Sequence, residues 1–401
     1  MNRIILIGNG FDLAHGLKTG YKDFLKSIFN EEKILEEIKK DFNAYQKKQK
    51  KYPHFSIDNT SFFTKKNENF KSFTDKVFAY FKQSKIRYQP LIIFHNKFLE
   101  LILSKNSENW VDIEATYYSE LKKCFGSDNK QQSKIEKLNI EFKEIEDLLS
   151  KYLLDLLRTF SFKKNNVINN ILHNSEVKLN NFSSKILDLL VDVQYEIDFS
   201  ESEGYQKTFI DKRGIRKKII KEGFKSTEEG DLLILNFNYT DIIKSYFSDG
   251  KINLINIHGT LTDNNNPIIF GYGDEMDPKF KEIEHEGSED FLKNVKSINY
   301  LNTSNYQKFE TFIERDLYQV IILGHSCGLS DRILLNKIFE HDNCISIKPY
   351  YYKNEDKETD NYFSIVSNIY RCFNDKQLMR SKVVNKENTE AFSVKKTSNE
   401  E

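Results

Sequence analysis

Ile4-Ile-Leu-Ile-Gly-Asn-Gly-Phe-Asp-Leu-Ala-His-Gly16 opens the chain, and its reading sets the fold. Ile4–Ile7 is short, wholly apolar and mostly β-branched, and it stops at Gly8. That is the pattern of a strand buried on both faces of a parallel sheet. Glycines at 8 and 10 let the backbone turn sharply and approach a pyrophosphate with no Cβ in the way, and a following helix would aim its first N–H groups at the anion. The spacing departs from the usual dinucleotide fingerprint, because position 13 is Leu and the next glycine is Gly16. A tight strand–helix turn also needs a bare G-x-G, but its place after a buried N-terminal strand points to a ligand. Asp12 is placed to cap that helix or to contact a ribose.

Working outward, four similar apolar runs come late: Leu232–Phe237, Ile252–Ile257, Val320–Leu323 and Cys344–Ile347, with a weaker one at Ile268–Gly271. Between them Asp241–Phe247, Asp331–Phe339 and Asn361–Phe373 read as helices. Strand–helix alternation predicts an α/β fold with a Rossmann-like, doubly wound, mainly parallel sheet. The sheet would form from residues 1–20 and 226–375. Residues 21–225 differ. Glu31–Lys50, Gln89–Ser104, Ser133–Phe160 and Ser184–Ile197 carry apolar residues three and four apart, with Ile135, Leu138, Phe142, Ile145, Leu148 and Leu149 on one stripe. They predict a large helical block inserted after the first strand. Residues 376–401 are polar and aperiodic, the composition of a disordered tail.

Composition narrows the function classes. The 60 basic and 60 acidic residues cancel, which argues against a dedicated nucleic-acid binder. Cys124, Cys327, Cys344 and Cys372 form no CxxC pair, so no metal site is expected and a reducing compartment is. No apolar run approaches the roughly 18 residues that span a bilayer, and the N-terminal run is too short for a signal peptide. A cytoplasmic protein without membrane contact is the expectation.

Three further segments carry chemistry. Asn236 and Asn238 lie at the end of the second apolar run, where open α/β sheets present ligand sites. Their amides are costly to bury unsatisfied, so they either meet a ligand or cap the next helix. His258, in Asn256-Ile-His-Gly-Thr260, is placed either as a general base or as a satisfied core histidine. In Gly324-His-Ser-Cys-Gly-Leu-Ser-Asp331, Gly324 and Ser326 allow close backbone approach and offer a hydroxyl to phosphate or ribose, and Asp331 starts a helix. The G-x-S-x-G within it has the wrong order of partners for a hydrolase elbow. Within the helical block, Trp110-Val-Asp-Ile-Glu114 reads as a helix start packed by an aromatic, or as a source of Asp112 or Glu114 for a ribose.

Together these segments resemble the AbiH family of phage abortive-infection proteins. The resemblance rests on Ile7-Gly-Asn-Gly-Phe-Asp-Leu-Ala-His-Gly-Leu17 with Thr19 and Tyr21, on Asn236-Phe-Asn-Tyr-Thr240, on His258-Gly259, on Gly324-His-Ser through Asp331, and on Asn109-Trp-Val-Asp-Ile-Glu-Ala-Thr-Tyr117. More distantly, the order of motifs is similar to sirtuin-like NAD-consuming domains. That likeness implies NAD as substrate or ligand, Asn238 orienting the nicotinamide ribose and a water, and His258 acting as base on that ribose. It also implies a binding loop of Gly8, Asn9, Gly10, Phe11 and Asp12, with Asn236, Gly324, Ser326 and Asp331 completing the pocket. Thr240 stands where such domains often have aspartate and Asp12 where they often have serine, and their paired-cysteine zinc module is missing.

The function implied is antiphage defence by an NAD nucleosidase-type hydrolase that releases nicotinamide. The alternatives are a non-catalytic nucleotide sensor signalling through its helical block, and a metal-dependent nuclease built on Asp12, Asp112 and Glu114. A small-molecule nucleotide is the expected partner, with a second copy of the chain or a phage-derived trigger beyond it.

Overall fold

The computed structural model describes residues 2–29, 36, 50–57, 92–105, 110–125, 131–173, 188, 190–192, 195, 213, 230–247, 252–285, 288–355 and 357–395. The chain falls into two compact units. The first comprises Met1–His15, Phe162–Ile268 and Tyr300–Glu401, the second Gly16–Ser161 and Ile269–Asn299.

A five-stranded parallel sheet organises the first unit. Its strands are β1 (Asn2–Ile7), β2 (Leu232–Asn236), β3 (Asn253–Asn256), β4 (Tyr318–Leu323) and β5 (Cys344–Pro349), in the order β3-β2-β1-β4-β5. The α/β class and the parallel sheet are therefore as expected. β1 is central, and Ile4, Ile5, Leu6 and Ile7 are at most 1% exposed. An apolar run without alternation suits that position because both faces are covered. Register sets what happens at the carboxyl edge. Ile7 lies opposite Asn236 on one side and Leu323 on the other, and Asn236 lies opposite Asn256. The residues that follow, Gly8, Phe237, Ile257 and Gly324, thus leave the sheet side by side.

Two expectations for this unit are corrected. Asp241–Phe247 is not an α-helix: Ile242–Tyr246 makes a 3-10 turn, and Asp241 accepts from Asn256 and Lys244 rather than capping. Residues 376–395 are not a disordered tail. Asp375 caps the helix Lys376–Lys382 by accepting from the N–H groups of Gln377 and Leu378. The buried Lys382 ammonium donates to the carbonyls of Phe339 and His341, at the end of the helix Arg332–Glu340. Ala391–Lys395 pairs in parallel with Tyr351–Asn354. A few anchors, Met379, Lys382 and Phe392, order a stretch whose average composition is polar.

The second unit holds the helices Tyr21–Phe29, Lys97–Ser104, Trp110–Cys124 and Gln131–Thr159. The stripe on the last is buried at Ile135, Leu138, Phe142, Ile145 and Leu149. This region is not wholly helical. Lys50–Lys51, Phe55–Ile57 and Ile92–Phe94 form an antiparallel sheet, from strands too short to show alternation. Ile268–Gly271 is no strand. Phe270 stacks on Phe142 at 4.8 Å, and Tyr272 makes an isolated bridge to Val295. The expected helices Glu31–Lys50 and Ser184–Ile197 lie largely outside the described residues.

Candidate functional site

Two polar clusters form on the loops leaving the carboxyl edge of the parallel sheet. In the first, Asp12 is only 2% exposed. Its carboxylate accepts from the Thr240 hydroxyl at 2.7 Å and from Asn238 Nδ2 at 3.0 Å. Asn238 Nδ2 also donates to the Gly8 carbonyl at 3.0 Å, which uses both of its protons. Asn236, fully buried, donates to Thr240 O and to Asn256 Oδ1, and its own Oδ1 accepts from the Asn238 N–H. Burial pushes the Asp12 carboxyl up to about 7, against the opposing pull of the Thr240 and Asn238 hydrogen bonds. The hydrogen bond to Thr240 survives protonation by reversing, because a hydroxyl both donates and accepts.

This cluster revises several roles expected at the nucleotide loop. Asp12 neither caps the following helix, Asn9–Ala14, nor turns outward to a ribose. Phe11 is core, packed on His15 at 4.5 Å and Tyr246 at 6.0 Å. Asn236 is enclosed. The glycines also have a different physical reason. The Gly10 N–H donates to the Gly324 carbonyl at 2.8 Å, and the Phe11 N–H to Gly8 O. A Cβ on Gly8 would stand 2.5 Å from the His325 Cα, and one on Gly10 2.9 Å from Gly324 O. Gly324 has φ +79° and would place a Cβ 2.2 Å from the Phe11 nitrogen. The loops after β1 and β4 are thus pressed backbone to backbone, and that contact is what demands glycine. Asn9 is half-buried beside it.

The second cluster is built from His258, Asp331, His325 and Tyr300. His258 Nε2 lies 3.2 Å from Asp331 Oδ1 and 3.2 Å from the Tyr300 hydroxyl. His325 Nε2 lies 3.5 Å from Asp331 Oδ2, and its Nδ1 accepts from the Cys327 N–H at 3.1 Å. The Phe237 ring packs against both imidazoles, 5.1 Å from His258 and 4.2 Å from His325, and Tyr300 stacks on His258. All four polar members are buried. Asp331 does not cap the helix after it; its two oxygens face the two histidines. The Ser330 hydroxyl, one residue earlier, is buried without a hydrogen-bond partner, whereas Ser326, the serine expected to meet a ligand, is exposed.

Sequence reading picked out His258, Asn238 and Asp331 but missed three partners. His325 was visible inside Gly324-His-Ser. Thr240 follows Asn238 closely, and its role appears only when Asp12 is brought across. Tyr300 has no local signal at all.

Asp112 and Glu114 belong to the second unit. Glu114 is committed to a buried, two-pronged ion pair with Lys296, at 3.0 and 3.1 Å. Nearby Tyr117 donates to Asn139 Oδ1, and Asn294 Nδ2 donates to the Tyr117 oxygen. With Glu114 paired and Asp12 enclosed, two of the three carboxylates expected of a metal-dependent nuclease are engaged by protein groups. Among the described residues no group of three or more His, Cys, Asp or Glu side chains is arranged to hold a metal ion. No described helix is long and apolar enough to cross a membrane.

Comparison with protein families gives a match to the model described as bacteriophage abortive infection AbiH, over residues 4–353. No curated protein and no solved structure matches the chain, so the likeness to sirtuin-like domains has no counterpart there.

Proposed function

The chain belongs to the AbiH family of bacteriophage abortive-infection proteins, and from that premise we propose that it acts in antiphage defence by cleaving the glycosidic bond of NAD. We read the parallel sheet as Rossmann-like and doubly wound, since its strand order reverses at β1. Ligands of such sheets lie outside the carboxyl ends, at the reversal. The observation that carries the reading is the buried His258–Asp331 pair at that edge.

The chemistry asks little of the protein. In NAD the nicotinamide is a cationic ring, so when the C–N bond breaks it departs with the bonding electrons as a neutral molecule and needs no acid. Water adds to the oxocarbenium-like carbon and gives up a proton, leaving ADP-ribose, nicotinamide and a proton. One base suffices. His258 would take that proton, and Asp331 would stabilise the imidazolium. The buried, unpartnered hydroxyl of Ser330 is a candidate contact for the ribose or a phosphate. Purified protein incubated with NAD should release nicotinamide, read by mass spectrometry, and His258→Ala should abolish release while keeping the melting temperature. Undiminished release by that variant would overturn the assignment.

A second reading is favoured by one specific observation. Both Nδ2 protons of Asn238, the residue expected to orient the ribose, are spent on Gly8 and Asp12. A nucleotide sensor without turnover fits that commitment. Saturable NAD binding by calorimetry, with no nicotinamide released, would select it.

A further inference from the structure

The two histidines that share Asp331 differ in what their surroundings allow. His325 Nδ1 accepts the Cys327 N–H, so that nitrogen carries no proton and Nε2 must carry one. Nε2 faces Asp331 Oδ2. Protonating Nδ1 would set two N–H groups against each other in a site where His325 is 5% exposed, losing a buried hydrogen bond. The lock depends on backbone geometry. Cys327 has φ +56°, a left-handed conformation rare for a side chain of its kind. The peptide unit between Ser326 and Cys327 is what aims the N–H back at the ring. Cys327 is itself fully buried, and burial holds its thiol well above the ordinary range, so the strained residue serves geometry rather than thiolate chemistry.

His258 has a partner for either state. When neutral at Nε2 it can accept the Tyr300 hydroxyl proton; when protonated there it donates to Asp331 Oδ1. We infer that the Cys327 N–H fixes His325 in the Nε2–H tautomer facing Asp331, and that Asp331 is a positioning residue for both imidazoles that leaves His258 as the histidine able to take up a proton. The Cys327 N–H sets this division of labour. The inference rests on the proposed reading of His258 as the base and assigns the residues that make it one. The titratable groups facing His258 are Asp331, His325, the Cys327 thiol beside Asp331, and the Tyr300 hydroxyl, with Tyr306 stacked behind Tyr300.

Ring-nitrogen spectra of the full chain labelled with ¹⁵N-histidine test this without any turnover. Eight histidines are present, and His325→Gln and His258→Gln assign the two signals by their loss. His325 should show the Nε2–H tautomer, with Nδ1 as the unprotonated nitrogen. Asp331→Asn should lower the His258 midpoint, by removing the opposite charge. Cys327→Gly, which still reaches a left-handed φ, should keep the His325 tautomer. A His325 in the Nδ1–H tautomer would overturn the inference, as would an unmoved His258 midpoint in a folded Asp331→Asn. Should that variant fail to fold, the wild-type His325 signal decides alone. Lack of nicotinamide release with these spectra as expected would refute NAD cleavage and not the array.

Discussion

The Asp12 cluster and the His258 cluster stand on loops from the same edge of the same sheet, and each centres on a buried aspartate. They are wired differently. Asp12 is met by donors whose other bonds run to backbone carbonyls and further asparagines, so its network closes on itself and ties the loop after β1 to the loop after β2. Asp331 is met by two imidazoles, one of which also faces the Tyr300 hydroxyl, a group that can donate or accept. Buried aspartate by itself therefore says little about reactivity. What its donors can do when the proton count changes separates a structural carboxylate from a working one.

The largest expected effect tests the cluster proposed to be catalytic. His258→Ala should cut nicotinamide release by about 10²–10⁴-fold, measured at saturating NAD, with no loss of thermal stability comparable to that of a core deletion. The structural cluster is broken by pH. The folded carboxyl of Asp12 lies near 7, above its unfolded value of about 3.9. Between those limits the folded chain holds a proton that the unfolded chain has lost, so stability falls as pH rises from about 4 to 7. The full cost is on the order of 4 kcal/mol. Asp12→Asn should remove that slope in urea titrations, while wild type should lose stability relative to it between about pH 4 and 7. A slope equal in both would refute the assignment.

Backbone contact between the two loops is tested next. Gly324→Ala meets the Phe11 nitrogen at 2.2 Å and a left-handed φ together, and should cost at least about 2 kcal/mol. Gly16→Ala has a similar φ, +81°, with open space around it, and should cost about 1 kcal/mol. The difference between the two urea midpoints isolates the clash. The smallest effect belongs to Ser326→Ala. Because Ser326 is exposed, the change should stay within about 0.5 kcal/mol and leave NAD affinity unmoved; Ser330→Ala should weaken that affinity.

Much of the sheet was legible because parallel strands buried on both faces must be apolar throughout, and Ile4–Ile7 and Val320–Leu323 have no other comfortable reading. Asn238, His258 and Asp331 were legible for a related reason, since polar residues just after such runs stand at a carboxyl edge. Their partners were not. Thr240 and Asp12 meet only through the pairing of β1 with β2, and Tyr300 arrives from a turn with no motif. The glycines were noticed for the right property and given the wrong neighbour, because a pattern in one loop cannot show that Gly324 is pressed against it. The ordering of residues 376–395 rests on Lys382 reaching two carbonyls, which composition averages away.

The central position of β1 bears on how the protein is made. Arg3 pairs with Leu232 on one side and with Gln319 on the other, so during synthesis β1 must wait for more than three hundred residues before both neighbours exist. At about 5–20 residues per second that delay is about 15–60 s, with an isoleucine-rich strand needing shelter throughout. His325 and Asp331 are translated later than Gln319. A chain stopped before Gln319 therefore lacks both the second partner of its central strand and the carboxylate that faces His258.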